Sequence, residues 1–112
     1  MNYNQELANQ VREALQHLPN VEEKEMFNGL TFMVDDKMYI GVLETELMFR
    51  VSPEDGLKLV ERNGIRPMIH GKRTMKGYVF AASEAYKRKE DFDELVALAL
   101  AFNPLAKSSK KK

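Results

Sequence analysis

Apolar and polar residues alternate with a period of two from Met26 to Val51, and this alternation restricts the fold more than any other feature of the chain. The apolar positions are Leu30, Phe32, Val34, Met38, Ile40, Val42, Leu47, Phe49 and Val51. A period of two is typical of strands with one buried face. The polar breaks at 35–36 and 44–46 are too short for a crossover helix, so the sequence predicts three strands in an antiparallel meander.

Three helices are predicted around this meander. The first precedes it and carries a stripe at helical spacing, Leu7, Val11, Ala14, Leu15 and Leu18. The second starts at Ser52, whose hydroxyl can accept from the Asp55 amide, and ends at Asn63-Gly64, where glycine supplies a left-handed residue. The third opens in capping-box fashion at Asp91. Its apolar stripe is Leu95, Leu98, Ala99 and Phe102.

Two more strands are predicted between the second and third helices, Arg66 to His70 and Gly77 to Ala82, joined by a basic turn. The predicted order is α-β-β-β-α-β-β-α. Runs of strands separated by single helices favour an α+β fold of two layers, with helices packed on an antiparallel sheet. A chain of 112 residues needs one core. We therefore expect a single domain over 1–106 and a disordered basic tail over 107–112.

Positive charge is concentrated in the segment IRPMIHGKRTMKGYVF at 65–80, which contains no acidic residue although the chain is neutral overall. The tail lysines leave the rest of the chain mildly acidic, which argues against nonspecific nucleic-acid binding. Three uses of these cations are open: pairing with carboxylates of the same chain, contact with an acidic protein, and binding of phosphate or nucleic acid. The predicted partner-binding residues are Lys37, Arg50, Arg66, His70, Lys72, Arg73 and Lys76. Of these, Arg50, Arg66 and Lys76 are expected to share one face with Lys37.

Residues suited to catalysis or metal binding are sparse. The chain has no cysteine, and His17 and His70 are its only imidazoles, without a metal-ligand, nucleophile or nucleotide-binding pattern around them. The acidic clusters at 22–25, 35–36 and 54–55 are interpreted as solvated turns and helix starts. We therefore predict no enzymatic activity, no cofactor and no metal site. An enzyme would require His70 to meet an unpaired acid in a pocket.

Methionine is unevenly distributed, because every methionine after Met1 lies between positions 26 and 75. The flexible thioether suits two uses, filling gaps in a core and forming a soft contact surface. Both interpretations are open at this point.

Several short motifs occur in a fixed order: MFNGLTFM at 26–33, KMYIGV at 37–42, LMFRV at 47–51, RPM at 66–68 and MKGY at 75–78. Together with the closing helix they resemble the TfoX N-terminal domain family over nearly the whole chain. The resemblance implies a two-layer α+β domain. It also implies, for members with a second, carboxy-terminal domain, regulation of bacterial competence genes for DNA uptake alongside a promoter-bound activator. This chain ends where that second domain would begin, so we expect a stand-alone domain.

The sequence and the resemblance together predict a nonenzymatic regulatory or adaptor domain that acts through protein–protein contact. The expected partner is a protein, with the transcription machinery as one source and a homodimer as another. Direct nucleic-acid binding through the basic turn and lysine tail is the alternative, and a small enzyme comes third. No apolar run approaches the ~20 residues that span a bilayer, and no secretory signal is present, so we expect a cytoplasmic protein.

Overall fold

A computed structural model of the protein describes residues 3–26, 29–35 and 37–105, without the side chains of Met26, His70, Lys76 and Leu105. The predicted tail at 107–112 and Asp36 lie outside the described residues. The helices are α1 (Gln5–Leu15), α2 (Pro53–Leu59), α3 (Ser83–Tyr86) and α4 (Lys89–Phe102), with a 3-10 turn at Asn103–Leu105. The strands are β1 (Val21–Met26), β2 (Gly29–Val34), β3 (Lys37–Val42), β4 (Glu46–Arg50), β5 (Ile65–His70) and β6 (Arg73–Ala82).

The strands form one antiparallel sheet of six in the order β1-β2-β3-β4-β6-β5. All four helices contribute to a single core cluster on one face of this sheet, through residues such as Val11, Leu59, Ala85 and Leu95. The sheet contributes buried residues that include Phe32, Ile40, Phe49 and Val79. The predicted two-layer α+β fold and its element order are confirmed, with β1 and the short α3 as additions.

The first strand is where the interpretation of the acidic residues at 22–25 was wrong. These residues lie in β1, which pairs with β2 from Val21 opposite Val34 to Met26 opposite Gly29. An edge strand needs hydrogen-bonding partners on one side only, and its charged side chains can remain in water. For this reason β1 lacks the apolar alternation by which the other strands were predicted.

The helix boundaries follow their backbone signals. Ser52 Oγ accepts from the Asp55 amide at 3.0 Å, as predicted for the start of the second helix. The predicted end at Asn63-Gly64 is wrong, because α2 ends at Leu59, and Gly64, with a φ of +87°, lies in the turn before β5. The predicted start of the third helix at Asp91 is wrong, because α4 begins at Lys89. The carbonyl of Arg88 accepts from the amides of Asp91 and Phe92, so the first helical turn forms without a side-chain cap.

A β-bulge at Tyr39 departs from the predicted alternation. Ile40 lies opposite Phe32 and Met38 lies opposite Met33, so Tyr39 is an extra residue on β3. Tyr39 and Ile40 therefore both face the helices, whereas the period of two had placed Met38 and Ile40 together. Tyr39 is fully buried, and its hydroxyl donates to the Val96 carbonyl of α4 at 2.9 Å.

Burial of Tyr39 leads to a testable pH dependence, because desolvation raises the pKa of its hydroxyl well above the ordinary value. The pKa of Tyr39 is higher in the folded state than in the unfolded state. The contribution of its neutral hydroxyl to the free energy of unfolding is therefore complete below about pH 10 and is lost as the pH rises further. We expect Tyr39→Phe to lose about 1 kcal/mol of unfolding free energy at neutral pH. The variant should then show a shallower decline in stability above about pH 10 than the wild type.

Urea unfolding at a series of pH values measures both effects. Tyr3→Phe is the control, because Tyr3 is partly exposed and lies outside the β3–α4 contact. An identical alkaline decline in the wild type and Tyr39→Phe would contradict the assignment.

The two outer strands carry features that discourage pairing with a strand of another chain. Positions 22–25 of β1 are all charged, and Pro67 lies in β5.

No helix in the described part of the chain is long and apolar enough to cross a membrane.

Candidate functional site

The β5–β6 hairpin bends out of the plane of the sheet. Pro67 lies opposite Val79 and the next residue, Met68, lies opposite Met75, so residues 76–78 of β6 have no partner on β5. Gly77 lies within this stretch at a φ of +85°. The outer end of the hairpin projects past the end of β4 and closes with the two-residue turn Gly71-Lys72.

The sheet face without helices forms a groove together with this bent hairpin. Thr31 and Gly41 on the inner strands line the same cavity as Met68 and Met75 on the hairpin, so the hairpin end lies over the face. The cavity has a volume of about 540 Å³. Four of its lining residues are methionines, Met38, Met48, Met68 and Met75. We call this cavity the methionine groove; Thr31, Gly41, Tyr78 and Phe80 complete its main walls.

The depth of the groove depends on a strand position without a side chain. A Cβ atom at Gly41 would lie 3.1 Å from Cε of Met48, so any larger residue there would push into the groove wall. The four methionines add flexible thioethers to the wall, and these adapt to the shape of what they contact. The positions of these four methionines fit the soft-surface interpretation, whereas Met33 is buried without lining the groove.

Two of the predicted cations lie over the aromatic residues of the groove. The guanidinium carbon of Arg50 is 5.4 Å from the ring centroid of Tyr78, and that of Arg66 is 4.5 Å from the ring centroid of Phe80. Arg50 also lies 6.0 Å from the ring of Phe102. These distances are within the range of cation–π contacts.

Arg66 is also held by a carboxylate of its own chain. Its Nη2 lies 2.6 Å from Oε1 of Glu46, and because Glu46 is on β4 and Arg66 on β5, the ion pair spans β6. The arginine side chain is 55% exposed, so the pair contributes at most about 1 kcal/mol. Its main effect is to hold the guanidinium over the Phe80 ring.

Lys37 lies apart from the other predicted cations. It is opposite Val34, a core residue, so its side chain starts on the helix-covered face. Its Nζ donates to the carbonyl oxygens of Asn103 at 3.1 Å and Pro104 at 3.4 Å, just beyond the carboxyl end of α4. The prediction that Lys37 shares a face with Arg50 and Arg66 is therefore wrong. The backbone of Lys76 lies in β6 and that of His70 in β5, but their side chains are outside the described residues.

Lys72 and Arg73 form the exposed tip of the hairpin. Arginines elsewhere pair with nearby carboxylates: Arg12 with Glu23 and Arg62 with Glu94, at 2.7 Å in each case. These arginines hold the pKa values of both carboxyl groups below their usual range. No ion pair or hydrogen bond connects the side chains of Lys72 and Arg73 to any described residue. Pairing within the chain thus accounts for Arg66 but not for the tip.

The groove contributes contact surface more than reactive groups. Among the described residues that line it, none is a carboxylate, imidazole or amine. Within the same described part of the chain, no three His, Asp or Glu residues come together in a way that could hold a metal ion.

The two-layer arrangement has a counterpart among solved structures. A crystal structure of the Deinococcus radiodurans protein DR2400, with a domain of the family DUF419, is similar with a TM-score of 0.64. The likeness covers 89% of this chain and 81% of that chain at 21% sequence identity, and at this identity it shows the fold alone. No curated protein matches the sequence.

The sequence resemblance is confirmed at the level of the family. The family model of the TfoX N-terminal domain matches residues 13–103, which include every strand and most of the helical layer. The chain belongs to the TfoX N-terminal domain family, which is associated with the regulation of competence.

Proposed function

We propose that the chain is a nonenzymatic regulatory or adaptor domain that binds an acidic surface of another protein through the tip of its β5–β6 hairpin. The observation that carries this proposal is the exposure of Lys72 and Arg73 without a partner among the described residues. The family's association with competence regulation supports a regulatory role and makes the transcription machinery a reasonable source of the partner.

The open face of the sheet is the surface best placed to join the tip in this contact. The opposite face is covered by the helices, and the outer strands carry the charges of β1 and Pro67 of β5. These features disfavour strand addition at the edges. A partner that meets the tip would also reach the rim of the methionine groove, because both belong to one hairpin.

Exposed cations of this kind act mainly on encounter and specificity. A positive tip accelerates association with an acidic surface and selects against basic ones, with an effect that decreases as salt rises. The absence of a carboxylate, imidazole or amine among the described groove residues supports a binding role over a catalytic one.

Charge reversal at the tip tests the proposal. We expect the double variant Lys72→Glu/Arg73→Glu to lose about tenfold or more in affinity for the partner, because two attractive contacts become repulsive. Affinity capture from the native host identifies the partner, and calorimetry with the purified partner then gives the affinity.

Lys58→Glu/Lys87→Glu is the matched control, since it makes the same charge change at two exposed lysines that are not part of the hairpin. Equal affinities for the two double variants would refute the tip as the contact. Light scattering of the isolated chain shows whether the partner is a second copy.

Direct nucleic-acid binding is the second candidate, and it is favoured by the same two adjacent cations. Two phosphate contacts would make the logarithm of the binding constant fall with the logarithm of the salt concentration with a slope of about −1.8. Titration of a short DNA duplex at several salt concentrations measures this slope. Binding that is weak and has no such dependence removes this candidate.

A further inference from the structure

We propose that the methionine groove is a binding site for a small amphiphilic anion. The apolar body of this ligand lies between the sheet and the bent hairpin, and its single carboxylate or phosphate group meets Arg73 at the groove mouth. This site shares Arg73 with the protein contact proposed above, but it can be occupied in the isolated chain.

The walls of the groove favour an apolar body. A volume of about 540 Å³ is within the range of pockets that enclose a small organic ligand. Thioether, aromatic and aliphatic side chains line the groove, and Thr31 and Tyr78 are the described lining residues that bear a hydroxyl. Methionine side chains rearrange at little cost, so the groove fits a class of apolar bodies more readily than one rigid shape.

The register of the hairpin places a cation at the same opening. Met68 lies opposite Met75, and position 70 lies opposite Arg73, two residues from Met75 on one strand. Residues two apart on a strand point to the same side, so Arg73 is on the side of the hairpin that carries Met68 and Met75. Arg66 is already paired with Glu46, whereas Arg73 is exposed and has no described partner. A guanidinium binds a carboxylate or phosphate through two parallel hydrogen bonds.

A small molecule fits the groove better than a peptide. Every amide of a peptide in an apolar groove would need a hydrogen-bond partner, and leaving such groups unpaired is costly. β6 is already paired with β4 beside the groove, from Arg50 opposite Tyr78 to Glu46 opposite Ala82. This part of the wall therefore offers no open strand edge to a peptide, while an alkyl chain requires none.

The test is a titration of the whole chain, labelled with ¹³C at its methionine methyl groups and followed by NMR. The probes are decanoate, decyl phosphate, decanol and decyltrimethylammonium, kept below micelle-forming concentrations. We expect the methyl signals of Met38, Met48, Met68 and Met75, which line the groove, to shift more than that of Met33, which is buried beside Met38 without lining it. The two anions should bind more tightly than decanol, and the cation most weakly. Absence of saturable shifts, shifts spread over every methionine, or tighter binding of the cation would overturn the proposal.

Variants separate the two parts of the ligand. Arg73→Gln should weaken decanoate binding about two- to fivefold, as expected for an exposed charge pair, and leave decanol binding unchanged. Lys72→Gln is the matched control and should change decanoate binding less than Arg73→Gln does. Equal effects of the two variants would refute Arg73 as the anion-binding residue.

Gly41→Leu should fill the groove floor and abolish the shifts of the four methyl signals for all probes, while the circular dichroism spectrum shows a folded chain. Retention of the shifts in a folded Gly41→Leu chain would place the ligand elsewhere. Should this variant not fold, the wild-type titration still decides the proposal. All these measurements use the isolated chain, so their failure leaves the capture experiment on the hairpin tip unaffected.

Discussion

Phe49→Ala should reduce the free energy of unfolding by about 3–5 kcal/mol, the range for truncating a fully buried phenylalanine. Phe49 lies in the middle of β4, opposite Ile40 on one side and Val79 on the other, and is completely buried. Its removal leaves a cavity where strands β3, β4 and β6 meet the helices, and this part of the sheet has few ways to collapse.

Urea unfolding followed by circular dichroism measures this loss. Leu57→Ala is the control, since Leu57 is a large apolar residue that is 64% exposed on α2, and its replacement should cost less than about 0.5 kcal/mol. A domain of this size has a total stability of about 5–15 kcal/mol. Comparable losses in the two variants would contradict the described core.

Gly77→Ala should destabilise the protein by about 3 kcal/mol, through backbone strain and a steric clash together. Gly77 has a φ of +85°, and a Cβ there would lie 2.6 Å from the carbonyl oxygen of Val51. The strands cannot simply move apart, because the Gly77 carbonyl accepts from the Val51 amide at 2.7 Å.

Gly71→Ala separates these two causes. Gly71 also has a positive φ, +65°, but no atom lies within 4 Å of the position that an alanine methyl group would take, so strain alone should cost about 1 kcal/mol. The difference between the two unfolding free energies measures the close approach of β6 to the residue after β4. Equal losses of unfolding free energy in the two variants would show that the close approach contributes nothing to the destabilisation by Gly77→Ala. Gly77→Ala should also shift the methyl signals of Met68 and Met75, because the hairpin hinges at this residue.

The sequence predicts best those elements in which local pattern and tertiary role coincide. Strands β2, β4 and β6 carry apolar residues toward the helices. Ser52 caps α2 through a hydrogen bond from Asp55, which is only three positions further along the chain. The strand at 21–26 was missed because an edge strand can be stable with a polar sequence. The bulge at Tyr39 was missed because an extra residue interrupts the alternation on which the prediction depended.

The candidate site was less accessible to prediction from sequence. The segment that forms the basic hairpin was singled out by its charges, but its position over the sheet depends on three residues of β6 without partners on β5. No local sequence pattern specifies such a shift in the pairing register of two strands. The clustering of methionines was visible in the sequence, and its meaning depended on where the strands placed Met38, Met48, Met68 and Met75. Lys37 was grouped with the other cations by residue type alone, and the register of β3 separates it from them.

The bulge at Tyr39 has a consequence for how the length of the chain can vary among relatives. On β3 it leaves Met38 and Gly41 on the groove side while two consecutive residues between them face the core. Deleting Tyr39 would restore a regular alternation, but it would leave a cavity in the core and remove the hydrogen bond to the Val96 carbonyl. Insertions and deletions should therefore be rare within 37–42 and common at the turn of residues 71–72, where added residues extend into solvent.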